Sequence, residues 1–234
     1  MAVSSPSDQM PEFSTAIKFE LAKSTGHMPQ QATSAYRRTW KRLIDLTTAS
    51  IGLVILSPIL IITSILIKST SHGPVLYWQD RVGRGGKLFR IAKFRSMVTD
   101  ADRKGLEITT AGDPRVTRIG AVLRKSKIDE LPQLWNVAKG EMSLVGPRPE
   151  TPRYVVDYSE KELHVLSVRP GITDPASIRY RHEEEVLAKN DNPEEFYRTV
   201  VLRHKLALNL EYIEKMSFSF DAKLILETLK SLFT

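Results

Sequence analysis

Two carboxylates stand side by side in the stretch SKIDELPQLWN, residues 126–136: Asp129 and Glu130. Pro132 follows them, and Arg124, Lys125 and Lys127 crowd in just before. Proline is tolerated in the first turn of a helix but not in its middle, so the spacing predicts a helix from about Asp129 to Gly140, a residue type that ends helices. Carboxylates at such a start lie at the positive end of the helix dipole, which favours their ionised form and also attracts phosphate. A carboxylate held ionised among cations can attack phosphorus, because aspartate forms acyl phosphates. Its neighbour could hold a magnesium ion that neutralises the phosphates under attack. Taken alone, the same pair is also ordinary helix-capping chemistry.

Further cations carry the phosphate reading. In KFRSM, Lys93 and Arg95 are two apart and so share one face of a strand. In GEMSLVGPRPE, Arg148 stands between Pro147 and Pro149, whose fixed backbone stiffens its mount for a bidentate grip on phosphate. SVRPGIT and SIRYRHEEE add Arg169, Arg179 and Arg181, each of which alone reads as surface charge. His27, His72, His164, His182 and His204 show no metal-ligand spacing.

The elements that must position these residues follow from composition and periodicity. The chain has 234 residues, 41% hydrophobic and 26% charged, which fits a globular domain with appendages. Its net charge of +7 favours anionic partners: phosphorylated small molecules, lipid headgroups or nucleic acid. The absence of cysteine excludes disulfides, Cys-ligated zinc and thiol catalysis. Residues 1–35 are rich in Ser, Thr, Pro and Gln and read as a mobile tail, with a short helix near Phe13–Lys23 and no signal-peptide pattern.

Residues 36–70 read as a basic entry and a membrane helix. Ile51–Ile67 carries no charge, and as a straight helix would reach roughly 25 Å, short of a bilayer core of about 30 Å. Ser57-Pro58 at its centre predicts a kink. Arg37, Arg38, Lys41 and Arg42 precede the run, and Lys68, Arg81, Arg84 and Lys87 follow it. Basic residues on both flanks favour a kinked helix that enters and leaves by the same face, with a tilted span or a buried soluble helix as the alternatives.

Residues 71–234 read as one unit. Val75–Trp78 and Leu88–Phe94 predict a β-hairpin turning at Gly85-Gly86. Gly112–Lys127 predicts a helix capped by Asp113, with Val116, Ile119 and Leu123 on one face. Asn192-Pro193-Glu194-Glu195 opens another, with the stripe Tyr197, Val201, Leu208 and Tyr212. A last helix is predicted from near Asp221, with Ile225, Leu229 and Leu232 on one side. The fold class is therefore α+β and mainly helical: a kinked helix, read as re-entrant, plus a small domain with a β-hairpin and amphipathic helices.

From Tyr36 onward the ordered motifs (the Ser57-Pro58 break, KFRSM, LRKSKIDELPQLWNVAKGEMSLVGPRPE and RPGIT) resemble the small monotopic phosphoglycosyl transferases, bacterial sugar transferases that start glycan and exopolysaccharide assembly on a polyprenol phosphate. The large membrane-spanning N-terminal part of some relatives is not seen, so the small form is expected. The resemblance implies that the apolar helix is re-entrant, that residues 71–234 are a small cytosolic catalytic domain seated by interfacial amphipathic helices on the cytoplasmic face of the bacterial inner membrane, and that it transfers a sugar-1-phosphate from a nucleotide diphosphate sugar, taken as a UDP-sugar, to undecaprenyl phosphate. Asp129 would attack the phosphate that carries the sugar, a nucleoside monophosphate would leave, and the phosphosugar would pass from Asp129 to the lipid. Asp129 and Glu130 would hold Mg2+. Lys93, Arg95, Arg124 and Arg181 would bind substrate, and Pro147-Arg148-Pro149 would face the nucleotide. Membrane lipids would be partners, nucleic acid would not, and a homodimer is compatible with this picture. Two departures stand out. Lys127 replaces a small hydroxyl residue, so Ser126 is expected to take over as cap, and DPASIRYRHEEE replaces a Gly-Trp-Ala-Gln type stretch after RPGIT. The competing reading is a non-catalytic basic membrane protein that binds anionic lipids and partners. It leaves the Asp129-Glu130 pair without a purpose.

Overall fold

The structure, a computed structural model, describes residues 36–101 and 108–231. The tail and the Phe13–Lys23 helix lie outside these residues. A short π-helical turn, Tyr36–Trp40, leads into α1 (Lys41–Ile55) and α2 (Ser57–Thr70). The two are bent by 59° across Leu56. The cause is the predicted one: Pro58 sits in the first turn of α2, where its missing donor costs nothing, and Ser57 Oγ donates to Val54 O at 2.8 Å. Ile51, Val54, Ile55, Ile59, Ile61, Ile62, Ile65 and Leu66 are exposed along the pair. No single helix among the described residues is long and apolar enough to cross a membrane; the bent pair together meets that test of length and composition.

The inward contacts of the pair are specific. In α1, Asp45 and Ala49 are buried; Asp45 accepts a hydrogen bond from Leu144 N at 3.0 Å. Ala49 joins Ile91, Leu134, Val137 and Met142 in one apolar cluster. In α2, Ile67 packs with Phe94 and Leu123 in another. An arginine fastens each end. Arg42 donates to Val137 O (2.6 Å) and Ala138 O (2.9 Å). Arg95 donates to His72 O (2.8 Å), Ser71 O (3.0 Å) and Ser71 Oγ (2.6 Å), just past the end of α2. The strand-face pairing of Lys93 with Arg95 therefore does not survive. Strand β2 ends at Phe94, and the Arg95 guanidinium satisfies orphan carbonyls beyond a helix end instead of projecting beside Lys93.

The hairpin is β1 (Leu76–Val82) against β2 (Leu88–Phe94), antiparallel, from Leu76 opposite Phe94 to Val82 opposite Leu88. β2 matches the expectation, and β1 runs four residues past Trp78. A 3-10 turn, Arg84–Gly86, closes it, with Gly85 and Gly86 at positive φ. The predicted Gly112–Lys127 helix is shorter: α3 is Arg118–Lys125. Thr117, not Asp113, is the cap, accepting from Gly120 N at 2.9 Å. Asp113 is diverted to Arg115, which it binds through both backbone N (2.9 Å) and guanidinium (2.6 Å). Val116 is in a β-bridge to Met97 rather than on a helical face.

After α4 (Gln133–Lys139), which stops at left-handed Gly140 as expected, β3 (Ser143–Val145) pairs in parallel with β4 (Gly171–Thr173). That pair was not foreseen, since three-residue strands show no alternation. Glycine at 171 is required by it: a Cβ there would lie 2.1 Å from Gly146 N. Short helical turns at Pro152–Val155 and Glu162–Ser167 lie between β3 and β4, and helices α5 (Pro175–Arg179), α6 (Glu183–Ala188), α7 (Leu202–Lys215) and α8 (Phe218–Ser231) follow. Asn192 starts a short helix, Pro193–Phe196, that continues through a π-helical turn into α7. Tyr197, Val201 and Tyr212 are buried as expected, whereas Leu206, not Leu208, completes the face. α8 starts at Phe218, so Asp221 lies inside it, and Leu224 is buried while Leu229 is exposed; Leu232 lies outside the described residues.

Asp221 is 4% exposed and joins the C-terminal helix to the root of the helix pair. It accepts from Tyr36 Oη (2.6 Å), Tyr212 Oη (2.7 Å) and Lys41 Nζ. Asp221→Ala would strand a cation and two hydroxyls. It should destabilise the protein by about 3–5 kcal/mol, and Asp221→Asn by less, read as unfolding midpoints in detergent. An unchanged midpoint for Asp221→Ala would show that this junction contributes nothing.

Candidate active site

The dyad sits on a turn of its own rather than in the first turn of a helix. Lys127 adopts φ 57, ψ 15, and it is the one non-glycine residue at positive φ among the described residues. That reversal sends Ile128–Glu130 into a 3-10 turn ahead of Pro132 and α4. A lysine in this region is disfavoured, at a cost on the order of 1 kcal/mol. Ser126 does not take over as cap: its Oγ donates backward to Val122 O at 2.8 Å, at the end of α3.

The two carboxylates share their cations unequally. Glu130 faces the Arg148 guanidinium with both oxygens, Oε2 at 3.1 Å from Nη1 and Oε1 bonded to Nη2, and Lys93 Nζ is 3.5 Å from Oε1. Burial opposes its charge, but Arg148 and Lys93 outweigh burial and hold Glu130 well below the usual carboxylate range. Asp129 is 6% exposed, and its Oδ1 has no hydrogen-bond partner among the described residues. Burial, and then the charge on Glu130, push the Asp129 carboxyl up to about 6, against the pull of Lys93, Arg124 and Lys127. Burial also brings Lys93 down to about 8, although Glu130 resists this.

Arg148 is mounted from behind. Its backbone N–H donates to Asp174 Oδ2 (2.8 Å), and Asp174 Oδ1 caps α5 through Ser177 N (2.7 Å). Pro147 O accepts from Gly171 N (3.0 Å) and Pro149 O from Arg81 Nη1 (3.0 Å). The two prolines thus lock the loop. Asp129, Glu130, Lys93 and Arg148 open on a cleft of about 1320 Å³. Leu56, Leu134 and Leu144 line its apolar part, and Arg124 and Arg181 line its basic part. Arg124 is paired with Glu184. Arg181 Nη1 is buried with no hydrogen-bond partner among the described residues. Lys93, Arg124, Arg148 and Arg181 therefore share one cleft with the dyad. Arg95 borders it but has its guanidinium turned to the end of α2.

Sequence reasoning missed Asp174 and the buried set Glu150, Tyr197 and Lys205 near Arg148, and took half-buried Arg81 only for a flanking charge. Signals existed. Asp174-Pro175 is a helix-start pair, and Lys205 is a charge between buried Leu202 and Leu206. No group of three or more His, Cys, Asp or Glu residues among the described residues is placed to hold a metal ion. The unpartnered Asp129 Oδ1 is nonetheless the kind of atom that a cation would satisfy, with Glu130 beside it ionised.

Residues 36–234 match the family model described as bacterial sugar transferase. A UDP-N-acetylgalactosamine-undecaprenyl-phosphate N-acetylgalactosaminephosphotransferase of Aeromonas hydrophila is 38% identical over 83% of this chain and 44% of its own length. An undecaprenyl-phosphate glucose phosphotransferase of Komagataeibacter xylinus is 41% identical over 81% of this chain and 35% of its own. A UDP-glucose:undecaprenyl-phosphate glucose-1-phosphate transferase of Caulobacter vibrioides is 36% identical over 83% and 70%. The chain thus spans less than half the length of the first two and about two thirds of the third.

Because the folded environment disfavours a charge on Asp129, its ionisation opposes folding above the unfolded value near 4 and fully so above about 6. The stability of Asp129→Asn relative to the native protein should therefore grow from pH 4 to pH 7, by on the order of 1–3 kcal/mol, and then level off. Denaturant midpoints of both proteins across that range test it, and a pH-independent difference would mean that Asp129 is not buried as a charge.

Proposed function

The chain belongs to the bacterial sugar transferase family, and we propose that it moves a sugar-1-phosphate from a UDP-sugar to undecaprenyl phosphate through a covalent phosphosugar on Asp129. The observation that carries this reading is the unequal dyad: a buried carboxylate with a free oxygen, beside one neutralised by Arg148 and Lys93. In the first step an Asp129 oxygen attacks the phosphorus that bears the sugar. An Asp129 O–P bond forms, the bond to the bridging oxygen breaks, and uridine monophosphate leaves with the electron pair. In the second, the phosphate oxygen of undecaprenyl phosphate attacks the same phosphorus and releases the Asp129 carboxylate.

The surrounding residues supply the rest. A pKa of about 6 leaves Asp129 ionised at neutral pH yet weakly solvated, which suits a nucleophile. Lys93, Arg124, Arg148 and Arg181 are the donors proposed to meet phosphate charge as it develops. Asp129 and Glu130 are the residues that would hold Mg2+, which when bound would neutralise diphosphate charge. The exposed apolar pair α1–α2 supports a re-entrant anchor in the inner membrane with the cleft on the cytoplasmic face, where a soluble donor meets a lipid acceptor. Relatives named for glucose and for N-acetylgalactosamine differ in the sugar, so the proposal extends to the UDP-sugar class.

Uridine monophosphate release from UDP-sugar with undecaprenyl phosphate and magnesium tests the reaction. Asp129→Asn should lose at least a thousandfold and Glu130→Gln at least a hundredfold in kcat. The native pH profile should rise through about 6 as Asp129 ionises and fall through about 8 as Lys93 loses its proton. Full turnover by Asp129→Asn would remove Asp129 from the mechanism. For the anchor, cysteines placed before Arg37 and after Lys68 should react with an impermeant reagent from one side of sealed vesicles; labelling from opposite sides would contradict re-entry.

A further inference from the structure

The cleft has a second polar floor that the transfer chemistry leaves unused. Glu150 and Lys205 are both buried, at 9% and 7% exposure, and both line the cleft. Tyr197 Oη donates to Glu150 Oε1 at 2.6 Å, and Lys205 Nζ donates to Glu183 Oε2 at 2.9 Å and to Tyr197 Oη at 3.4 Å. Yet neither cation that neutralises Glu150 reaches hydrogen-bond distance. Lys205 Nζ stays 3.8 Å from Oε1 and Arg81 Nη1 stays 3.6 Å from Oε2. A hydroxyl cannot sit between charges at this separation, but one lying to their side can come within hydrogen-bond distance of both, which the cations and the carboxylate do not achieve with each other. Glu150 is two residues from Arg148, so the floor adjoins the proposed phosphate site.

The charge pattern selects the ligand. Two carboxylates, Glu150 and Glu183, face two cations, Lys205 and Arg81. A phosphate would meet the carboxylates, and an apolar group would leave four charges desolvated. A hydroxyl satisfies both signs at once, donating to a carboxylate while accepting from lysine or arginine. We propose that Glu150, Lys205 and Tyr197 form a subsite that reads hydroxyl groups of the donor, on the transferred sugar or on the ribose. The assignment rests on the donor reading above. A site that hydrogen-bonds a hydroxyl rejects analogues that lack or misplace it, because its own buried groups are then left unpaired.

The test uses the full chain in detergent with Glu150→Gln, Lys205→Met and the milder Tyr197→Phe, which keeps the ring, each checked by thermal melting. Calorimetric Kd values and uridine monophosphate release are measured for UDP-glucose, UDP-galactose and their N-acetylhexosamine counterparts. Binding of UDP is compared with that of its 2′-deoxy analogue. If the subsite reads the sugar, the variants should change the ratios among the four donors by tenfold or more while the UDP ratio stands. If it reads the ribose, the UDP to 2′-deoxy ratio should collapse toward one while the sugar ratios stand. A uniform loss across all donors with every ratio intact, in folded variants, would overturn the subsite. Absence of monophosphate release by the native protein with every donor would instead remove the transferase reading, and the calorimetric ratios would still decide the subsite.

Discussion

The site depends on how two adjacent carboxylates divide the cations around them. Arg148 and Lys93 both go to Glu130, and Asp129 keeps a buried oxygen with no donor among the described residues. A bidentate arginine–carboxylate pair is among the stronger charge-assisted contacts in proteins, and burial sharpens it. Its effect here is to fix Glu130 as a permanent anion, whose field then adds to the burial that lifts Asp129. The neighbouring residues thus have different characters despite near-identical chemistry. The asymmetry is built by the backbone: left-handed Lys127 tightens the turn, and Asp174 holds the loop from which Arg148 reaches across.

The same economy governs the helix pair. Its outward face is apolar and exposed, so its place relative to the cleft rests on its inward contacts. Arg42 and Arg95 each tie one helix of the pair to the domain, Asp45 holds β3, and Asp221 collects Tyr36, Lys41 and Tyr212 at the root. These are mostly side chains bonded to backbone carbonyls or to one carboxylate, contacts that fix direction better than apolar packing does. The kink at Leu56 then brings the break in the pair to the rim of the cleft that holds Asp129.

Much of this was legible in the residues. The Ser57-Pro58 break, β2, the Gly140 stop and the Asn192 start follow from local chemistry that tertiary structure leaves alone, whereas the grouping of Lys93, Arg124, Arg148 and Arg181 around one cleft was expected only from the family resemblance. What failed was decided by competition between nearby residues. Asp113 is a good cap, but Arg115 two residues on captures it and Thr117 caps α3 instead. Arg95 shares a period with Lys93, but the strand ends between them and the carbonyls past α2 are unpaired. The β3–β4 pair is too short for periodicity, and the Glu150–Lys205 floor joins residues 55 apart in sequence, which no local pattern records.

The central claim is that the free oxygen of Asp129 takes up the phosphosugar. Rapid-quench mass spectrometry of the native protein, mixed with a UDP-sugar and magnesium and with the lipid acceptor withheld, addresses it most directly. A mass increase equal to one sugar phosphate, mapped to the peptide that contains Asp129 and absent from Asp129→Asn, is the result expected. An unmodified chain under conditions where added undecaprenyl phosphate restores turnover would contradict the account.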